Sequence, residues 1–175
     1  MKTLVVYASK YGSTREIAEF IAEKLRHQGM EAEAASVGAA PRARDYDAVV
    51  VGSGVYMGHW LREATEFVRQ NRAVLADRPV WLFSSGPLHL PAGTESLDDP
   101  ELQPEEIGEL REAVRPRDTR VFFGALDPAQ LGFGHRMIRK LPAGRDLLPE
   151  GDFRDWDDIA AWADGIARAL AVPAA

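Results

Sequence analysis

Leu4-Val5-Val6-Tyr7-Ala8-Ser9-Lys10-Tyr11-Gly12-Ser13-Thr14 is an apolar run that breaks into hydroxyl residues around one glycine and then enters a helical pattern. An apolar run of this length, bounded by turn residues, predicts a buried strand over residues 3–8. After it, Ile17, Phe20, Ile21 and Leu25 fall on one face of a helix over 14–28, and Gly29 supplies its stop. A strand that empties through such a loop into a helix N-terminus forms a cradle for an anion. Backbone N–H groups without helical partners and the positive end of the helix dipole both point at it. Ser9, Ser13 and Thr14 add hydroxyl donors, and Lys10 is the loop's only cation. The ligand expected there is a phosphate held mainly by neutral donors.

The same strand–helix alternation continues along the chain. Residues 31–36 form a weak second strand and Ala48-Val49-Val50-Val51-Gly52 a strong third one. A helix over 60–75 leads to a fourth strand, Pro79-Val80-Trp81-Leu82-Phe83, which runs into Ser84-Ser85-Gly86-Pro87. A helix over 104–115, a fifth strand over 120–124 and a last helix over 155–171 complete the pattern. Near-continuous apolar strands are those covered on both faces, so the expected class is α/β, a doubly wound five-stranded parallel sheet with helices on both faces. With a phosphate loop after the first strand, the expected order is 2-1-3-4-5. The ligand crevice then lies beyond the carboxyl ends of strands 1 and 3. The 175 residues fit one domain, 1–175.

Three loops should meet at that edge: 9–14, 52–60 and 84–89. The second reads Gly52-Ser53-Gly54-Val55-Tyr56-Met57-Gly58-His59-Trp60. Its glycines let backbone approach a ligand closely, and its aromatic rings, Tyr56 before Trp60, can stack on a flat one. His59 reads as a structural hydrogen-bonding residue rather than a proton donor. Phosphate donors beside a glycine-plus-aromatic surface suit a flat, phosphorylated cofactor.

Other phosphate chemistries lack their parts. No G-x-x-x-x-G-K-[ST] run occurs, and Gly52, Gly54 and Gly58 miss G-x-G-x-x-G by one residue. Strands one and three end without the carboxylates that a magnesium-dependent phosphoacceptor needs. A net charge of −6 argues against a nucleic-acid partner. With no cysteine, thiol catalysis, disulfides and thiolate metal sites are excluded. The N-terminal apolar run is too short for a signal peptide or a membrane span, so a soluble cytoplasmic protein is expected.

With these residues in view, Ser9-x-Tyr11-Gly12-Ser13-Thr14 after a strand resembles the flavodoxin phosphate loop. The stretch from Val51 to His59 resembles the ring-binding loop of one flavodoxin-like branch, the menaquinone-dependent protoporphyrinogen oxidases. The likeness continues at Phe123-Gly124-Ala125-Leu126, Met137-Ile138-x-Lys140-Leu141 and Asp155-Trp156. It implies a flavodoxin-like fold and FMN as cofactor. Phosphate contacts would come from Ser9, Lys10, Tyr11, Gly12, Ser13 and Thr14. Ring contacts would come from Ser53, Gly54, Val55, Tyr56, Met57 and Gly58, and from Ser85, Gly86 and Pro87. No side chain is required as acid or base, because the flavin carries the chemistry.

Two activities follow from the resemblance: an oxidoreductase of the protoporphyrinogen type with a quinone acceptor, or an electron carrier between protein partners. The chain departs from the quinone-dependent branch, which is rich in basic residues after strand four. Here residues 95–109 carry Glu95, Asp98, Asp99, Glu101, Glu105, Glu106 and Glu109 and no Lys or Arg. A membrane surface is itself negative, so this segment disfavours docking there and reads as a solvated face or a dock for a basic redox partner. Residues 131–141, with Leu131, Phe133, Met137, Ile138 and Leu141 among Arg136, Arg139 and Lys140, read as packing against the domain rather than as a membrane helix.

Overall fold

A computed structural model describes residues 1–90, 93–130, 137 and 149–171. Among them five strands run parallel: β1 (Lys2–Ala8), β2 (Glu31–Ser36), β3 (Ala48–Tyr56), β5 (Val80–Ser85) and β6 (Asp118–Phe122). Their order is β2-β1-β3-β5-β6, the expected 2-1-3-4-5 once β4 (His59–Trp60), a short antiparallel addition to β3, is set aside.

Strand alternation explains why the strands read as continuous apolar runs. Val5, Val50, Trp81 and Phe83 point to one face, where α1 (Ser13–His27) and the last helix, α5 (Trp156–Ala171), cover them with Ile17, Ile21, Ile159, Trp162 and Ile166. Leu4, Val6, Val49, Val51, Val80 and Leu82 point to the other face. There α2 (Arg62–Gln70), α3 (Arg72–Ala76) and α4 (Ile107–Val114) supply Ala64, Val68, Leu75, Ile107, Leu110 and Val114. Each such side chain, fully buried, contributes about 1.5–3 kcal/mol, so neither face can be left open.

Several element boundaries differ from the sequence expectation: the fifth strand runs over Asp118–Phe122 rather than 120–124, and the helix expected over 104–115 spans Ile107–Val114. The 60–75 helix divides at Asn71, whose side-chain amide donates to the Phe67 carbonyl at 2.9 Å and competes with the helix ladder. β3 and β5 run on to Tyr56 and Ser85, so Ser53 to Tyr56 and Ser84-Ser85 are strand, not loop. Residues 52–60 form a hairpin in which Tyr56 pairs with His59 around Met57-Gly58. Both turn residues have positive φ, +53° and +81°, as a two-residue hairpin of the right twist requires.

The long stretch 126–152 is closed at its ends. β7 (Ala125–Leu126) pairs antiparallel with β8 (Gly151–Asp152), and the Phe153 amide donates to the Gly124 carbonyl at 3.2 Å. Apart from Met137, the segment 131–141 lies outside the described residues.

Candidate functional site

Parallel strands bring their carboxyl ends to one edge, and a cavity of about 360 Å³ opens there, within the range of small-ligand sites. Ser9, Lys10, Tyr11, Ser13 and Thr14 line it from the β1–α1 loop. Val55, Tyr56 and Met57 line it from the β3–β4 hairpin, and Ser85 and Gly86 from the end of β5. The structure therefore brings together residues from all three expected segments.

The β1–α1 loop is built to donate. Gly12 precedes α1 with φ +91°, a conformation that glycine adopts without steric cost. Its amide donates to Ser9 Oγ at 3.1 Å, and the Ala125 amide donates to Ser13 Oγ at 3.0 Å. Each hydroxyl thus accepts from backbone and keeps its own proton for another partner. The first amides of α1 have no partner within the helix, so the loop offers a cluster of donors at the positive end of the helix dipole.

Two aromatic rings line the cavity beside the donors. The Tyr11 and Tyr56 rings meet edge-on, with centroids 6.1 Å apart at 69°, and Lys10 Nζ sits 5.4 Å from each centroid. Burial, with a smaller contribution from Tyr11, pushes the Tyr56 phenol up to about 12, so it stays neutral at physiological pH. Met57 at the turn tip is 98% exposed. Small residues hold the walls close. A Cβ at Gly54 would lie 3.0 Å from the Tyr56 ring and 3.2 Å from Thr14 Oγ1, and one at Gly86 would lie 3.0 Å from Val55 Cβ.

Five expected residues stand behind the lining. Gly12 and Gly54 shape it as described. Ser53 is buried, with Oγ accepting from the Leu61 amide at 2.9 Å and donating to the Gly54 carbonyl, which fixes the hairpin's return. Gly58 makes the turn, and the Pro87 carbonyl accepts from the Gly124 amide at 3.0 Å. Trp60, the weaker of the two stacking candidates, covers the core: it is 4% exposed, with Nε1 donating to Ser84 Oγ at 2.8 Å. Gly52 belongs to the core as well: a Cβ there would fall 2.0 Å from Phe83 Cζ.

Four lining residues had no site role assigned from sequence: Leu88, inside the expected 84–89 loop, and Gly124, Ala125 and Leu126, which enter the sequence reading only as part of the resemblance. Gly124, closing an apolar strand, is the one signal that could have found them. Arg154 was missed too. Its side chain is 7% exposed, and its guanidinium donates to Glu16 Oε2 at 2.7 Å, to both Asp152 oxygens and to the Ser13 carbonyl at 3.4 Å. Burial works against its charge, but the two carboxylates more than compensate and hold its pKa above the ordinary value.

His59 pairs with the start of α4. Its Nδ1 lies 2.8 Å from Glu106 Oε1, and Glu105 Oε1 is 3.7 Å from Nε2. The Glu106 hydrogen bond, then the Glu105 charge, raise its pKa. Burial alone would raise Glu106, yet the His59 bond and the amides of Glu106 and Trp60 outweigh it and hold the carboxyl below the ordinary value.

The donor loop, aromatic rings and narrow glycine-lined floor fit a flat group that carries a phosphate. The comparisons with known proteins agree with the architecture. A family model described as "Flavodoxin domain" matches residues 4–144. Protoporphyrinogen IX dehydrogenase (quinone) of Escherichia coli strain K12 is 30% identical over 176 residues, covering 96% of each chain. Among solved structures, a flavodoxin from the domain Archaea superposes with a TM-score of 0.62 at 16% identity, covering 97% of this chain and 99% of that one. Rubredoxin oxygen:oxidoreductase of Desulfovibrio gigas superposes with a TM-score of 0.61 at 17% identity, over 97% of this chain and 36% of that one. The two structural likenesses speak for the fold, and the family match with the full-length relative speaks for descent: the chain belongs to the flavodoxin-domain family.

Proposed function

We propose that the chain binds FMN and works as an oxidoreductase that takes hydrogen from a porphyrinogen-type substrate and delivers it to a quinone. The observation that carries the cofactor is the donor loop. Ser9 and Ser13 each accept a backbone amide and so retain a hydroxyl proton, at a helix N-terminus beside two aromatic rings. A phosphate would sit on Ser9 to Thr14, and a ring system between the Tyr56-Met57-Gly58 turn and Ser85-Gly86-Pro87.

FMN, when bound, supplies reversible two-electron chemistry. The protein's residues bind and orient it. Ser9, Ser13 and Thr14 donate to the phosphate, with Lys10 as the nearby cation. The Tyr56 phenol presents a neutral edge. Leu88 and Leu126 give the cavity apolar lining. Each quinone reduced to quinol takes two electrons and two protons, and the porphyrinogen loses the same number.

The substrate and acceptor rest on the relative that shares 30% identity over 96% of both chains. A second reading, an electron carrier between proteins, is favoured by the acidic run 95–109, which suits a basic partner. The absorbance spectrum of the protein reconstituted with FMN tests the cofactor: no bound flavin band overturns it. Turnover of protoporphyrinogen IX with a quinone acceptor tests the activity. Bound FMN without turnover supports the carrier.

Among the described residues no helix is long and apolar enough to cross a membrane.

A further inference from the structure

We propose that Glu106 is a positioning residue for the ring-binding half of the site, holding the Tyr56-Met57-Gly58-His59 turn at its cavity through His59 and the amide of Trp60. The inference rests on the FMN reading above and adds to it Glu106 and His59, which that reading does not use.

The turn needs support from outside. Its tip is bare, since Met57 is 98% exposed and a Cβ on Gly58 would meet nothing within 4 Å. Its strands pair over two residues on each side, too short to be stable alone. Met57 also occupies a left-handed conformation unfavourable for a bulky side chain.

The support comes from the segment before α4. Glu106 Oε1 takes His59 Nδ1 at 2.8 Å, Glu106 Oε2 accepts from the Trp60 amide at 3.2 Å, and the Glu105 amide donates to the Gly58 carbonyl at 3.0 Å. Glu106 occupies the N-cap position of α4 but makes no capping bond with its side chain. Both carboxylate oxygens go to the hairpin instead. Part of the acidic run 95–109 is therefore internal machinery rather than a free docking face.

The pairing is sensitive to the charge on His59. Glu105 approaches the other ring nitrogen, its Oε1 3.7 Å from Nε2. From α2, Arg69 faces the Glu106 charge while it holds Glu109 in a two-pronged pair at 2.7 and 2.8 Å, and Glu66 lies within its field. The charges that act on His59 are those of the two carboxylates, Glu106 and Glu105. Protonated His59 therefore favours the clamped turn.

Fluorescence titration with FMN on the full chain tests this, comparing the wild type with E106Q and H59Q across pH. In the ratio of variant to wild-type Kd the titration of the FMN phosphate cancels. The E106Q ratio should be about three- to tenfold below the ordinary histidine value of 6.5 and should shrink as pH rises and His59 loses its proton. The H59Q ratio should follow the same trend. A ratio that is the same at every pH, or equal to one throughout, overturns the positioning role, even if E106Q lowers thermal stability. Failure of the wild type to bind FMN overturns the cofactor itself, a separate result.

Discussion

The backbone amide of Ala125 donates to Ser13 Oγ at 3.0 Å, so the strand that closes the site's far wall is fastened to the first turn of α1. Ser13 holds the loop with its lone pair and keeps its proton for the ligand. Ser13→Ala removes both interactions. Stability should fall by about 0.5–1.5 kcal/mol for the neutral bond, and FMN binding by about 1.5–3 kcal/mol for the bond to a charged phosphate. Urea unfolding of the apoprotein and FMN titration measure the two separately. Loss of stability with unchanged FMN affinity would show that Ser13 serves only the loop.

Arg154 ties the same first turn to β8. Its partners Glu16 and Asp152 are about half exposed, at 45% and 48%, whereas the guanidinium is buried against the Trp156 ring at 4.5 Å. In Arg154→Met the aliphatic packing survives and both carboxylates can rehydrate, so the cost should be about 1.5–3 kcal/mol rather than that of a fully buried charge. Arg154→Lys should recover little, because a point charge cannot serve Glu16, Asp152 and the Ser13 carbonyl together. Equal urea midpoints for Lys and Arg at this position would refute the forked clamp.

Gly52 is required by Phe83, not by a ligand. With Phe83 Cζ and Cε1 at 2.0 and 2.2 Å from a built Cβ, Gly52→Ala must displace a fully buried ring. A loss of at least about 1–3 kcal/mol is expected. Phe83→Leu should relieve part of it, so the double variant loses less than the sum of the two single ones, by about 0.5–3 kcal/mol. Additive losses in thermal unfolding would contradict the contact.

The His59–Glu106 pair sets a pH window for stability. His59 has a raised pKa in the folded protein, so its contribution is fully present below the ordinary 6.5 and is lost as pH rises through the raised value. Glu106 is depressed, so its contribution is present above the ordinary 4.5 and is lost as pH falls through the lower one. The difference in unfolding midpoint between the wild type and His59→Gln should peak between these limits and decline on the alkaline side. A difference that grows above neutrality would show that the proton on His59 plays no part.

The parts of this molecule legible from sequence are those whose signal is local. Val49 to Val51 and Trp81 to Phe83 announce doubly covered parallel strands because every residue is apolar, and Gly12 after Ser9 announces the helix N-terminus. The β3–β4 hairpin was read as a loop because its turn is Met57-Gly58, whereas the hairpin signal a sequence offers is Asn or Asp before Gly. Trp60 and Gly52 fall within the expected 52–60 loop, and composition alone does not say that Phe83 and Ser84 claim them for the core. Arg154 could not be found at all: Glu16 lies 138 positions away, and only the fold brings it within 2.7 Å. Glu106 was hidden inside an acidic run that reads as solvated until its oxygens are seen on His59 and Trp60.

Met57 is a bulky residue in a left-handed backbone conformation, which Arg115 shares among the described residues. At φ +53° and 98% exposure it gains nothing from packing and adopts a conformation that Asn tolerates far better. Met57→Asn should therefore stabilise the apoprotein, by up to about 1 kcal/mol, since a left-handed non-glycine residue costs about 1–2 kcal/mol and Asn recovers part of that. Met57 also lines the cavity, and a sulfur and a methyl are what its side chain can offer a ring. If they rest on the flavin ring, the same change should weaken FMN binding several-fold, by about 0.3–1.5 kcal/mol for a lost sulfur–aromatic contact. Thermal unfolding of the apoprotein and FMN titration should then move in opposite directions. A variant that is more stable and binds FMN as tightly as the wild type would remove Met57 from the ring site and leave its strained conformation without a functional reason.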